Sequence, residues 1–134
     1  MNTRKIVIID GQGGRIGKQL IEAIKATYPS DEITAIGTNS LATSAMIKGG
    51  ADHIATGENA VIVACRTADI IIGPVGIAIA DSLLGEITPA MALAVGQSTA
   101  RKLLIPMNKC ETLIVGTSGL SLQNLIQQAV DALA

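Results

Sequence analysis

Four consecutive branched apolar residues, Ile6-Val7-Ile8-Ile9, run directly into Asp10-Gly11-Gln12-Gly13-Gly14-Arg15-Ile16-Gly17-Lys18. No other stretch restricts the architecture of the chain as much. A continuous apolar run bounded by turn residues suits a strand buried on both faces, as in a parallel sheet covered by helices. Beyond the glycines the pattern is helical. Ile16, Leu20 and Ile24 recur at i, i+4 and i+8, and Ile21 widens the stripe. Tyr28-Pro29 closes the helix, because the residue before proline avoids the α region.

The alternation continues along the chain. Residues 32–36 read as a second strand closed by Gly37, and Ser40 is the expected cap of a helix through Ile47 that stops at Gly49-Gly50. His53-Ile54 reads as a short strand or a turn, and residues 58–64 as helix or strand. Residues 69–72 form the next expected strand, leaving through the loop Gly73-Pro74-Val75-Gly76. Thr88 caps a helix with Pro89 at its first position, running to about Gly96. Strands are expected at 102–105, stopped by Pro106, and at 112–115, stopped by Gly116. Ser121 then caps a last helix with Leu122, Leu125, Ile126, Ala129, Val130 and Leu133 on its apolar face. The expected fold is α/β: a single doubly wound, Rossmann-like parallel sheet with helices on both faces, one domain over residues 1–134. Most strands end in Gly, Asn, Thr or Pro, and in such folds ligands sit outside the carboxyl ends of the strands.

Composition narrows the function classes. The chain is 49% apolar with a mean hydropathy of +0.47, which excludes a disordered chain. Ten Lys and Arg against 11 Asp and Glu give no basic field for nucleic acid, and the single aromatic, Tyr28, makes no base-stacking platform. The most apolar stretch, residues 60–84, is interrupted by Arg66, Asp69, Asp81 and Gly73-Pro74, so no membrane span is expected. The apolar run 6–9 is too short for a secretory signal. Cys65 and Cys110 lack metal-site spacing and are expected to be reduced and buried, and a lone histidine, His53, speaks against a metal site or a catalytic triad. The expectation is a cytoplasmic binder of a small molecule, with no nucleic-acid, membrane or metal partner. So large an apolar fraction on a small domain also points to a homodimer or larger homo-oligomer.

The glycine loop carries the chemical signal. Gly11, Gly14 and Gly17 form G-x-x-G-x-x-G between a strand and a helix. Gly11 suits the tight turn, Gly14 a close backbone approach to a pyrophosphate, and Gly17 close helix–strand packing. The free N–H groups and dipole of the first helical turn favour an anion, and Arg15 and Lys18 add positive charge. The other reading is that the glycines serve only a tight corner. A Walker A loop fails on spacing, since Gln12 and Gln19 stand where Gly and Ser or Thr belong. Asp10 either forms an Asx-type turn or bonds loop N–H groups, or, beside a phosphate, it points away, binds a metal or has its charge offset by Arg15 and Lys18.

Residues 11–21 are similar to the dinucleotide loop of dihydrodipicolinate reductases and related reductases. That resemblance implies NAD(P) lying across the strand rim, with Gly11, Gly14, Arg15, Ile16 and Gly17 at the pyrophosphate and Gly73, Pro74, Val75 and Gly76 toward the nicotinamide. Over nearly its whole length, through Gly37-Thr38-Asn39-Ser40, residues 55–59, residues 72–77 and residues 84–89, the chain resembles a family of short bacterial proteins of unknown function, which implies a fold and no activity. Where a dinucleotide fold places an acid for the ribose, about 20 residues past the loop, this chain has Gly37-Thr38-Asn39-Ser40, offering hydroxyls and an amide instead. The candidate cofactor-binding residues are therefore Gly11, Gln12, Gly13, Gly14, Arg15, Ile16 and Gly17, then Thr38, Asn39 and Ser40, then Gly73, Pro74, Val75 and Gly76. Asn108, Lys109 and Cys110 lie within reach of the same rim, while Asp81 and Glu86 are expected on a solvated surface. No catalytic residue stands out. The expected function is a binding domain for NAD(P) or another phosphate-bearing nucleotide, as an enzyme a minimal reductase; the alternative is a non-enzymatic oligomeric binding or assembly protein with a structural glycine loop.

Overall fold

The computed structural model describes residues 3–107 and 112–134, so the expectations for Asn108, Lys109 and Cys110 lie outside the described residues. Five strands, β1 (Lys5–Asp10), β2 (Glu32–Gly37), β3 (His53–Thr56), β4 (Ile70–Pro74) and β5 (Arg101–Ile105), form one sheet in the order β3-β2-β1-β4-β5. Every pairing is parallel. Between them run α1 (Arg15–Thr27), α2 (Ser40–Gly49), α3 (Glu58–Cys65) and α4 (Pro89–Gln97), and α5 (Leu122–Asp131) comes after β5. This is the doubly wound, Rossmann-like arrangement.

Strand side chains alternate between the two faces. Ile6, Ile8, Ile33 and Ile72 pack with Leu20 and Ile24 of α1, Met46 of α2 and Val130 of α5. Val7, Ile9, Ile36 and Ile71 pack with Val61 and Cys65 of α3 and with Met91 and Val95 of α4. Both faces of the central strands are thus covered, which is why those strands read as unbroken apolar runs.

Local expectations met different fates. Thr88 and Ser121 cap α4 and α5, accepting from the N–H of Met91 and Asn124. The cap of α2 is Asn39 rather than Ser40: its side chain accepts from Ala42 N–H at 2.8 Å, and Ser40 is already the first helical residue. Residues 58–64 are helical, because Val61 and Cys65, one turn apart, are the pair that reaches the sheet. Gly73-Pro74 is the end of β4 rather than a loop, and Val75–Ala78 is a 3-10 turn. Residues 112–115 are not a strand. Their branched side chains favour extended chain, but a strand needs a neighbour to pair with, and Leu113 and Val115 stand exposed with none among the described residues.

All strand ends meet at one rim. After β1 the chain turns to the face of α1, and after β4 to the face of α4, so the β1–β4 boundary is the topological switch point.

Candidate functional site

Strand β1 ends at Asp10, and α1 begins at Arg15 with Gly14 as its cap, in a left-handed conformation with φ 71°. A Cβ at Gly14 would lie 2.6 Å from the carbonyl oxygen of Ala42, so this glycine lets α2 press against the start of α1. A Cβ at Gly17 would meet Met46 Sδ at 2.5 Å and Asp10 Cβ at 3.0 Å, the close helix–strand packing its position suggests. At Gly11 it would meet Thr38 Oγ1 at 2.7 Å. Gly13 faces open space.

Asp10 is buried, with 4% of its surface exposed. Its two oxygens accept from the N–H groups of Gly11 at 2.8 Å and Gly17 at 2.7 Å, so it bonds the loop. Burial raises its pKa, partly opposed by those N–H groups and assisted by the nearby charge of Glu86.

Glu86 is the residue that sequence reasoning misplaced. It is not a solvated surface acid. Its Oε1 accepts from Asn39 Nδ2 at 2.7 Å, Thr38 Oγ1 at 2.5 Å and Gln12 N–H at 3.0 Å. Burial alone would raise its pKa, but the donors Thr38, Gln12 and Asn39 outweigh burial and hold it below the usual glutamate range. The segment between the 3-10 turn and α4 makes this placement. Asp81 N–H donates to Ile87 O at 2.7 Å, Ser82 Oγ donates to Gly76 O, and Leu83 lies beside Gly11. The chain thereby folds back across the end of β1 to reach the end of β2. No sequence spacing signals where such an irregular crossing lands; the only hint is that the end of β2 has polar donors and no acid of its own.

Beside this crossing a cleft of about 360 Å³ opens at the switch point. Its walls are the glycine loop from Gly11 to Ile16 and the exit of β4 at Pro74, Val75 and Gly76, with Ile79, Leu83, Met107 and Leu122 supplying apolar surface. Gln12, Gly13 and Arg15 are exposed on the loop. Among the described residues nothing accepts a hydrogen bond from the N–H of Gly13 or Arg15, and the Arg15 side chain has no ion pair. The remaining candidates lie elsewhere. Gly17 sits under α2, Thr38 and Asn39 bind Glu86, Ser40 is exposed on α2, and a Cβ at Gly73 would collide with Ile9 O of β1. His53 faces Glu32 at 3.3 Å at the start of β3, and Cys65 is a buried free thiol raised by that burial. Among the described residues no three His, Cys, Asp or Glu converge as metal ligands, and no helix is long and apolar enough to cross a membrane.

The fold is similar to that of a dodecameric FMN-dependent Ubix-like decarboxylase from Escherichia coli O157:H7, at 18% identity and a TM-score of 0.50, covering 96% of this chain and 91% of that one. It is also similar to a nucleoside-diphosphate-sugar epimerase from Pseudomonas aeruginosa, at 20% identity and a TM-score of 0.48, covering 99% of this chain and 47% of that one. No curated protein matches the chain. Residues 5–134 match the family described as Domain of unknown function (DUF3842), and the chain belongs to that family.

Proposed function

We propose that this chain is a binding domain for a phosphate-bearing nucleotide, with the phosphate at the start of α1 and the base or other ring in the cleft beside β4. One observation carries the reading: the cleft at the switch point joins unpartnered N–H groups, at Gly13 and Arg15, to an apolar wall formed by Ile79, Leu83, Met107 and Leu122. Small-molecule sites combine a mostly apolar hollow with a few placed polar groups, and the start of a helix favours an anion there. The distant FMN-dependent structural relative has the same fold, which is compatible with the reading.

A panel of FMN, AMP, NAD+ and NADP+ tests it by thermal denaturation, after native mass spectrometry of protein purified without added ligand. A ligand at 100 times its Kd stabilises by about 2.7 kcal/mol. Gly13→Asp puts a carboxylate in open space beside the phosphate position. It is expected to abolish the ligand shift while changing the stability of the free protein by less than about 0.5 kcal/mol. Absence of any shift across the panel rejects the reading.

A second reading has its own observation. Gly11, Gly14 and Gly17 are each required by a close internal approach, as a purely structural loop would need. Leu84, Leu113 and Val115 are 86%, 69% and 88% exposed. A homo-oligomeric assembly protein would cover them. Light scattering decides: a monomer at micromolar concentration removes this alternative.

A further inference from the structure

A dinucleotide in a fold of this kind needs both halves of the rim, one nucleotide past β2, the pyrophosphate at the start of α1 and the other nucleotide past β4. Among the described residues the cleft opens on the β4 half. Past β2, the Thr38 hydroxyl and the Asn39 amide both donate to Glu86 Oε1, and the N–H of Gln12 donates to the same atom. The crossing segment also closes over the strand end: a Cβ at Gly11 would meet Leu83 Cδ1 at 2.9 Å and Glu86 Oε1 at 3.1 Å. The Thr38 and Asn39 donors that a second nucleotide would use are spent, Ser40 alone of the three stays exposed, and a carboxylate stands among them.

We infer that Glu86 is a specificity-determining residue that confines the site to a mononucleotide by closing the β2 half of the rim. The inference rests on the nucleotide reading above and narrows it. An adenosine 2′-phosphate, as in NADP+, meets a fixed negative charge there, and an adenosine ribose finds the Thr38 and Asn39 donors already bonded to that carboxylate. The cleft on the β4 side, at about 360 Å³, is toward the small end of ligand sites. It keeps the N–H groups of Gly13 and Arg15 for one phosphate and Leu83 for one ring. Glu86 Oε2 has no partner among the described residues, so it could accept from a ribose hydroxyl, the group placed at this end in a dinucleotide fold, and that gives the test a sharp contrary outcome.

The experiment is calorimetric titration of the full chain, wild type and Glu86→Ala, with FMN, AMP and nicotinamide mononucleotide against NAD+ and NADP+. The wild type is expected to bind a mononucleotide about tenfold or more tighter than either dinucleotide, and Glu86→Ala to shrink that ratio by about tenfold, most for NADP+, whose 2′-phosphate loses a like-charge contact. A backbone amide spectrum of the wild type needs no variant: the mononucleotide should shift Gly13 and Arg15 and leave Thr38 and Asn39 in place. The inference is overturned if NAD+ binds the wild type as tightly as a mononucleotide, if Glu86→Ala weakens NAD+, if Thr38 and Asn39 shift with the mononucleotide, or if a folded Glu86→Ala leaves the ratio unmoved. If neither class binds, the nucleotide reading falls with it. Mononucleotide binding with an unmoved ratio sinks the role of Glu86 alone.

Discussion

At the amino end of the sheet Asp31 lies against Arg4, with Nη2 and Nε donating to Oδ2 at 2.6 and 3.0 Å, while Arg4 Nη1 reaches Leu133 O and Lys25 meets Asp52 at 2.5 Å. At the carboxyl end, Asp10 and Glu86 are held by N–H, hydroxyl and amide groups, and neither has a cationic partner among the described residues. The first end uses opposite charges to tie the start of β1 to the turn before β2, and the same guanidinium also donates to the Leu133 carbonyl just past α5. The second holds its acids with neutral dipoles and leaves the Arg15 and Lys18 side chains without an ion pair among the described residues. Charge is consumed where the fold is fastened and kept available where the cleft opens.

The largest expected effect is at the rim corner. Gly14→Ala combines a left-handed backbone with a collision against the Ala42 carbonyl, and should cost about 3 kcal/mol by urea denaturation. A loss below about 1 kcal/mol would mean that α2 yields, and that the corner is not the rigid member of the comparison. Next, Asp31→Ala strips Arg4 of its partner and should cost about 2 kcal/mol, partly recovered relative to wild type in 1 M salt, where the screening length falls to about 3 Å. Glu86→Ala should cost nearer 1 kcal/mol and respond little to salt, since its donors are neutral and turn to water. Equal salt dependence of the two variants would erase the contrast between the ends.

The smallest effect is in acid. The folded pKa of Glu86 lies below its ordinary 4.5, so its stabilisation is complete above that value and is lost as pH falls through the folded one. Asp10, raised above 3.8, has the opposite sign: its contribution is fully present below 3.8 and is lost as pH rises through its folded value. Glu86→Gln should therefore flatten the acid limb of stability measured from neutral pH downward, and Asp10→Asn should steepen it. With Glu86 partly solvated, the difference stays under about 1 kcal/mol.

Most of the fold was legible in the sequence because it depends on local signals. The branched apolar runs of β1 and β4 demand cover on both faces, and Thr88-Pro89 and Ser121 mark helix starts through chemistry contained in a few residues. Residues 112–115 misled because branched composition reports extended preference and not the presence of a partner strand. At the candidate site, the loop from Gly11 to Ile16 and the β4 exit were legible as a pair, since a strand–glycine–helix corner and its switch-point neighbour are dictated by topology. The occupant of the β2 end was not. Glu86 arrives from 48 residues beyond Thr38, along a path fixed by Leu83, Ser82 and Ile87, and no periodicity encodes such a path.

Asp81, Leu83 and Leu84 hold φ of 66°, 56° and 57°, angles that glycine adopts at far less expense. Three such residues within four positions make the hasp over β1 the tensest stretch of backbone in the described protein, and Leu84 points its apolar side chain into water instead of anchoring it. Swinging outward would relieve it without unravelling the sheet. The earliest excursion from the native arrangement should therefore begin there, with the five strands still zipped together.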